Sequence, residues 1–464
     1  MHNDLRTRVA ELFPQLKETL AELVRIPSVS APSYPPEPVR RSAERIAELL
    51  EAAGCQDVHL LEHPGAHPAV FGHIPGPAGA PTILLYAHHD VQPPGPEGEW
   101  LTGPFDPFEK EGRLFGRGAA DDKSGVIMHL GALAAHDGKP PVGVKVFIEG
   151  EEEVGSTHLG DFLEAYASLL ASDVIVIADA GVWRVGRPAL FTSLRGLTAC
   201  VVELRTLNSA VHSGGFGGVF PDALTSLCRL LASLHDERGN VAVPGLLSEE
   251  SDPIDLTEDD LRAAAGALEQ VELIGTGGLT SRLFSKPAIS VLAIDAPRID
   301  EAINQLVPVA SAKVSMRIAP GQDGPAAMAA LRRHLEDNVP WGAQLTISEE
   351  GYGDAFKLET EGAAYDAFRQ AMVEAWGVEV VETGVGGSIP FVASFSERMK
   401  GAPILLIGAA DPTSSIHGPN ESQDLADLEK AVLAETIALR LLGGPDRTTE
   451  EPPGSKGSVE GPAS

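Results

Sequence analysis

The chain has 464 residues, 66 of them acidic against 35 basic, for a formal net charge of -31. Hydrophobic residues make up 43% and aromatic residues only 5%, the composition of a soluble globular protein whose core rests on Ala, Val, Leu and Ile. The negative field repels phosphate backbones and anionic bilayers, which excludes nucleic-acid and lipid-surface functions first.

The length exceeds what one ordinary core fills and suggests two domains. Cys55, Cys200 and Cys228 form an odd, widely spaced set without a CxxC pair, which fits a reducing compartment. Residues 1–6 show no basic stretch running into an apolar one, and no apolar run approaches bilayer length; the expected location is cytoplasmic.

Leu12, Leu16, Leu20 and Leu23 recur at helical spacing within 9–24. A Pro-rich loop from Pro32 to Pro38 leads to a second helix over 39–53, which Gly54 can end. The apolar runs 83–86, 144–148 and 174–177 read as strands, alternating with helices such as 124–136. This βα rhythm predicts an α/β protein with a mostly parallel sheet and helices on both faces. After Ser193 the pattern changes to strands at 197–204, 290–294, 313–318 and 344–348, with helices at 221–234 and 325–335. From about Asp354 the βα rhythm returns, with a helix over 365–376 and a buried strand at 404–407. The simplest organisation is a discontinuous catalytic domain, 1–192 and 354–445, interrupted by an inserted α+β domain of a sheet plus two helices over 193–353. The polar, Pro- and Gly-rich tail 446–464 is expected to be disordered.

Acids and histidines collect where the first strands end: His88-His89-Asp90, Glu151-Glu152-Glu153 and Asp179, with Asp121-Asp122-Lys123 and His417 elsewhere. In an open α/β sheet, ligands converge at the carboxyl ends of the strands. Imidazole nitrogen and carboxylate oxygen suit zinc and similar divalent metals. His88 and Asp90 share a face while His89 points the other way. His88 is thus a candidate ligand, and Asp90 can accept its second ring N–H; a buried histidine with an Asp partner is the alternative for that pair taken alone. Gly116 to Lys123 is a glycine-containing turn entering a helix. Asp121 is placed to bridge two cations, which need a shared anion, although Asp121 or Asp122 can equally cap the helix.

Three adjacent glutamates raise one pKa unless cations neutralise them; one can bind metal while its neighbour takes a proton from water. A solvated acidic loop is the other reading, weakened by the buried strand before and Gly155-Ser156 after. His212, in the glycine-rich loop from Val211 to Gly218, can donate to a developing oxyanion or be an ordinary loop histidine. The loop from Gly384 to Pro390 can cradle a carboxylate with backbone N–H groups. His63, His67 and His73 read as surface residues of a Pro/Gly loop. No serine stands in a G-x-S-x-G elbow, which sets a serine hydrolase aside.

Taken in order, Tyr86-Ala87-His88-His89-Asp90-Val91-Gln92-Pro93, the Gly116 to Lys123 segment, Glu149-Gly150-Glu151-Glu152-Glu153-Val154-Gly155-Ser156, His212-Ser213-Gly214 and Gly386-Gly387-Ser388-Ile389-Pro390 resemble the M20 family of zinc metallopeptidases. Within it they are most similar to the carnosinase-like cytosolic dipeptidases, over nearly the whole chain apart from the tail. The resemblance implies two Zn²⁺ per subunit, with Mn²⁺ or Co²⁺ as substitutes. His88 and Asp179 go to one metal, Glu153 and His417 to the other, Asp121 bridges, and Asp90 supports His88. In the family pattern two glutamates precede one variable residue and Gly-Ser, so Val154-Gly155-Ser156 makes Glu152 the general base and Glu153 the ligand. His212 matches a histidine that polarises the substrate carbonyl across a homodimer, with the inserted domain as lid and dimerisation element. Arg317 matches an arginine that binds the substrate's free carboxylate, a task that suits a bidentate guanidinium; Gly387, Ser388 and Asn304 are further candidate substrate contacts.

Two stretches depart from the pattern: Asn304-Gln305-Leu306-Val307-Pro308, where relatives place Asn or Thr directly before Val/Ile-Pro, and Ser415-Ile416-His417, which lacks the usual small residue before the histidine. The implied activity is dipeptide hydrolysis by a metal-bridging water that Glu152 activates. An N-acyl amino acid deacylase or desuccinylase would use the same site, and a non-catalytic metal-binding scaffold is disfavoured because ligands and base are all present. The implied partners are a small peptide substrate and a second subunit, with no nucleic acid and no membrane.

Overall fold

The computed structural model describes residues 2–251, 254–358, 360–386, 392, 395, 398, 399 and 401–444. The expected disorder of 446–464 and the expected contacts of Gly387 and Ser388 fall outside these residues.

The apolar runs of the first half become fully buried strands. Val174–Ile177 has no exposed position, and Thr82–His88 is buried after its first residue. Strands of this kind need cover on both faces. They lie in a ten-stranded sheet ordered His59–Leu61, Ala69–Ile74, Gly143–Glu149, Thr82–His88, Val174–Ile177, Ile404–Leu406, Arg187–Leu194 and Phe356–Lys357. Val182–Arg184 and Val381–Val385 also pair with Arg187–Leu194. The four strands from Gly143–Glu149 to Ile404–Leu406 run parallel. The parallel sheet implied by the βα rhythm therefore forms the centre, and antiparallel pairs flank it on both sides.

One face is covered by the helices Asn3–Val24, Glu37–Ala52, Lys123–Ala135, Ala363–Trp376 and Leu425–Leu442, whose apolar residues form one core cluster with the sheet. Leu159, Phe162, Leu163, Val392 and Phe395 cover the other. The helix Lys123–Ala135 is buried nearly all round, as its apolar sequence requires. Two polar pins fix it. Lys123 Nζ donates to the carbonyls of Leu23 at 2.8 Å and Ile26 at 2.9 Å, satisfying the end of the first helix. His129 joins the Tyr86 carbonyl (2.9 Å) to Glu435 (2.9 Å), tying helix, sheet and C-terminal helix together.

A second, four-stranded antiparallel sheet has the order Ala288–Asp295, Val309–Ile318, Gly196–Arg205, Gln344–Gly353. Val309–Ile318 alternates strictly, burying Ala310, Ala312, Val314, Met316 and Ile318 in a separate apolar cluster with residues of the helices Ala223–Ala232 and Gly324–Asp337. Its other face, which carries Arg317, is half-buried.

Three histidines correct the sequence reading. His63, His67 and His73 are half-buried rather than fully exposed. His73 lies within the strand Ala69–Ile74, the His67 N–H donates to Glu151 at 2.8 Å, and the His63 ring stacks obliquely on His158 at 5.6 Å.

The contact between the first, third and last long helices is tight. A Cβ on Gly131 would stand 2.6 Å from Val432 Cγ1 and 2.9 Å from Leu16 Cδ1. Gly131→Ala should therefore lower stability by about 1–3 kcal/mol through overpacking, measured by urea denaturation; an unchanged midpoint would contradict this packing.

Candidate metal centre

Three central strands deliver side chains to one rim. His88 is the last residue of Thr82–His88, Glu151-Glu152-Glu153 follows Gly143–Glu149, and Asp179 follows Val174–Ile177. Asp121 arrives from the turn before the helix Lys123–Ala135, and His417 from the loop after Ile404–Leu406.

These residues converge. The fully buried His88 places Nε2 3.0 Å from Asp121 Oδ1 and 3.8 Å from Asp179 Oδ1. The other oxygen of Asp121 lies 3.0 Å from His417 Nε2, which is also 3.2 Å from Glu153 Oε2. Asp121 thus gives one oxygen to each histidine. Two groupings have ligand atoms all within 4.8 Å of one another: His88, Glu152 and Asp179, and His88, Asp121 and Glu153. All five candidate ligands and Glu152 therefore lie in one cluster.

The surrounding contacts orient the cluster. His88 Nδ1 is 3.1 Å from the Asp90 carbonyl and 3.4 Å from Asp90 Oδ1. The Asp90 carboxylate accepts from Ser30 Oγ at 2.6 Å and from the backbone N–H groups of Glu152 (3.2 Å) and Glu153 (3.0 Å). It ties the histidine strand to the glutamate turn. The three glutamates are not a solvated run, because each has its own partners. Glu151 is engaged by the His67 N–H and by His158 Nδ1, both at 2.8 Å. Glu153 accepts from Gln92 Nε2 at 2.9 Å, whereas Glu152 faces His88 and Asp179. Asp122 caps the following helix, accepting from the Gly125 N–H at 3.2 Å, and His89 turns away to the Pro68 carbonyl.

Burial pushes Glu152 up to about 7, reinforced by the charges of Glu153, Asp121 and Asp90. Burial likewise raises Asp179 well above the usual carboxylate range, with Glu152 adding to it. Hydrogen bonds to Asp121 and then Glu153 raise His417 to about 10. For Asp121, burial opposes ionisation but the two histidines outweigh it and hold the pKa down. Four carboxylates and two imidazoles meeting in a largely buried site leave excess negative charge that cations would neutralise, and the donor set of imidazole nitrogen and carboxylate oxygen fits zinc or similar divalent metals.

Sequence reasoning missed Glu421. Its buried carboxylate accepts from Arg117 Nη1 (2.6 Å), the Gly118 N–H (3.1 Å) and the N–H groups of Ala120 and Asp121 (both 3.0 Å). It templates the turn that presents Asp121 and belongs to the same loop as His417. Gly118 is required in that turn, since it has φ +82° and a Cβ there would stand 2.4 Å from Val91 Cγ1.

The candidate substrate residues lie elsewhere. His212 and Asn304 are exposed neighbours: His212 pairs with Gln305, and the Ser213 N–H donates to the Asn304 carbonyl at 3.1 Å. No hydrogen bond or ion pair among the described residues joins His212, Asn304 or Arg317 to the metal cluster.

The sequence profile of Peptidase family M20/M25/M40 matches residues 84–439. The chain belongs to this family. It is a metal-dependent peptidase. It is 34% identical over 447 residues to a cysteinylglycine-S-conjugate dipeptidase of Corynebacterium striatum, covering 93% of this chain and 97% of that protein. It is 27% identical over 442 residues to a Cys-Gly metallodipeptidase of Schizosaccharomyces pombe, covering 89% and 92%. Its fold is similar to that of human carnosine dipeptidase 1, with a TM-score of 0.79 and 24% identity over 95% of this chain and 98% of that one. Among the described residues, no helix is long and apolar enough to cross a membrane.

Two predictions follow from the geometry. Glu421→Gln weakens three backbone contacts and one ion pair behind Asp121, so it should lower metal affinity by roughly 10–100-fold, as loss of an outer-sphere support does; unchanged affinity in chelator competition would contradict the templating role. Metal must also displace the proton held by His417 (about 10), so binding strengthens as pH rises toward that value. The increase in melting temperature on adding Zn²⁺ should be larger at about pH 8 than at about pH 6; a pH-independent increase would oppose this.

Proposed function

We propose that the chain is a cytoplasmic dipeptidase with two Zn²⁺ per subunit, and that it works as a homodimer. His88 and Asp179 hold one metal, Glu153 and His417 the other, and Asp121 lies between them. The observation that carries the reading is the division of the Asp121 carboxylate between His88 and His417, 3.0 Å on each side. Bound there, a metal pair supplies Lewis acidity toward the peptide carbonyl and lowers the pKa of water. Glu152 takes the proton from the attacking water, since burial gives its carboxylate a high proton affinity, and returns it to the leaving amine. Asp90 keeps His88 in place.

His212 completes the site across the dimer by hydrogen-bonding the oxyanion. Its Nδ1 accepts from the Gly214 N–H at 3.0 Å, so the proton of the neutral ring sits on Nε2, ready to donate. Residues 193–353 act as the lid and dimerisation domain inserted into the catalytic domain 1–192 and 354–445. The edge strand Ala288–Asp295 supports this, because it leaves Val291, Leu292 and Ile294 exposed along an unpaired edge. Arg317 binds the free carboxylate of the substrate, with Gly387, Ser388 and Asn304 as further contacts. The dipeptidase names of the relatives favour a short peptide of the Cys-Gly type over an N-acyl amino acid.

The experiment is a panel of Cys-Gly, β-Ala-His, N-acetyl and N-succinyl amino acids with wild type and Glu152→Gln. Dipeptides should be preferred, and the variant should keep its metal while losing roughly 10²–10⁴-fold in kcat. Near-normal turnover by metal-loaded Glu152→Gln would remove Glu152 as the base, and preference for N-acyl substrates would make the enzyme a deacylase.

A further inference from the structure

In the antiparallel pair formed by Gly196–Arg205 and Val309–Ile318, Gly196 stands opposite Ile318 and Leu197 opposite Arg317. Opposed residues share a face, as do residues two apart along a strand. Arg195, just before the strand, therefore continues the face of Leu197 and Arg317, as a diagonal neighbour of Arg317 at roughly 7–8 Å. This is the half-buried face, away from the apolar cluster made with Ala223–Ala232 and Gly324–Asp337.

Backbone carbonyls hold Arg195 in place. Its Nε donates to Gly386 O at 3.2 Å and its Nη1 to Lys286 O at 3.5 Å, while Nη2 has no partner among the described residues. A Cβ on Gly386 would stand 3.3 Å from Nη2, so the guanidinium faces the start of the glycine loop. Neither Arg195 nor Arg317 forms an ion pair among the described residues, in a chain where 66 acids outnumber 35 bases. Burial, and after it the charge of Arg317, lowers the Arg195 pKa to about 10. Burial lowers Arg317 as well. Two half-buried guanidiniums on one face, repelling each other and sharing no acid, are placed to take an anion between them. A carboxylate meets that need with two oxygens and one charge.

We propose that Arg195 is a substrate-binding residue that joins Arg317 in a two-guanidinium clamp on the free carboxylate of the substrate. The inference rests on the proposed hydrolysis of substrates with a free carboxylate, a feature dipeptides and N-acyl amino acids share. Arg195 is the preset half of the clamp, held by Gly386 and Lys286, and it determines the preference for the free acid over its neutral amide.

The test uses full-length, metal-loaded enzyme and compares kcat/KM for Cys-Gly with that for its C-terminal amide. Wild type should favour the free acid. Arg195→Gln should reduce that ratio about tenfold or more, chiefly through KM, and Arg317→Gln should reduce it comparably. Arg195→Lys should retain part of the preference. The ratio is internally normalised, so partial misfolding of a variant does not alter it. A ratio within about twofold of wild type in Arg195→Gln, or no preference in wild type, overturns the proposal. If wild type cleaves neither peptide, the dipeptide reading has failed instead, and the ratio for N-acetylalanine over its amide decides the clamp.

Discussion

One carboxylate, Asp121, stands between two imidazoles, and much of the surrounding structure keeps it there. The residues around it are mostly anionic, so the cluster would repel itself without hydrogen bonds and cations. Glu421 receives four donors from the Asp121 turn, Gly118 allows that turn to pass Val91, and Asp122 starts the following helix. Lys123 anchors that helix to the end of the first one. Glu421 thus serves the site without joining the cluster, because it fixes the backbone that aims Asp121.

The two sheets divide the chemistry. The parallel centre of the large sheet is buried, and its strand ends present His88, the glutamates and Asp179 at one rim. The smaller sheet carries Arg317 on a half-buried face, with Arg195 directly before its strand Gly196–Arg205, and His212 and Asn304 sit together at an exposed two-stranded pairing. In the proposed enzyme, metal-holding and substrate-holding groups therefore come from different sheets, and Arg195 donates to Gly386, which follows a strand of the large sheet. In the proposed enzyme this separation lets a lid bring the substrate to a metal site that is already formed.

Legibility in the sequence followed burial. Apolar runs of four or five residues announced the central strands, and an acid or histidine two to four residues after such a run lies at the rim, as His88, Glu152 and Asp179 do. Alternation over 313–318 announced the second half of Val309–Ile318, and glycine and proline marked the loops. The C-terminal helix Leu425–Leu442 escaped notice because Asp427, Glu435 and Thr436 are buried and hydrogen-bonded, which blurs its apolar stripe. Glu421 and Arg117 escaped for the same reason: a buried, partnered charge looks in sequence like an exposed one. His63, His67 and His73 erred the other way, since a Pro/Gly-rich context hid contacts made with residues far along the chain. The choice among three glutamates came from a family pattern rather than from spacing.

In the proposed enzyme Asp121 bridges two metal positions. A crystal structure of the zinc-loaded protein, with anomalous data collected across the zinc edge, tests it directly. Two peaks are expected roughly 3.5–4 Å apart on either side of the Asp121 carboxylate, one nearest His88 and Asp179 and the other nearest His417 and Glu153. A single peak, or metal bound away from Asp121, would contradict it.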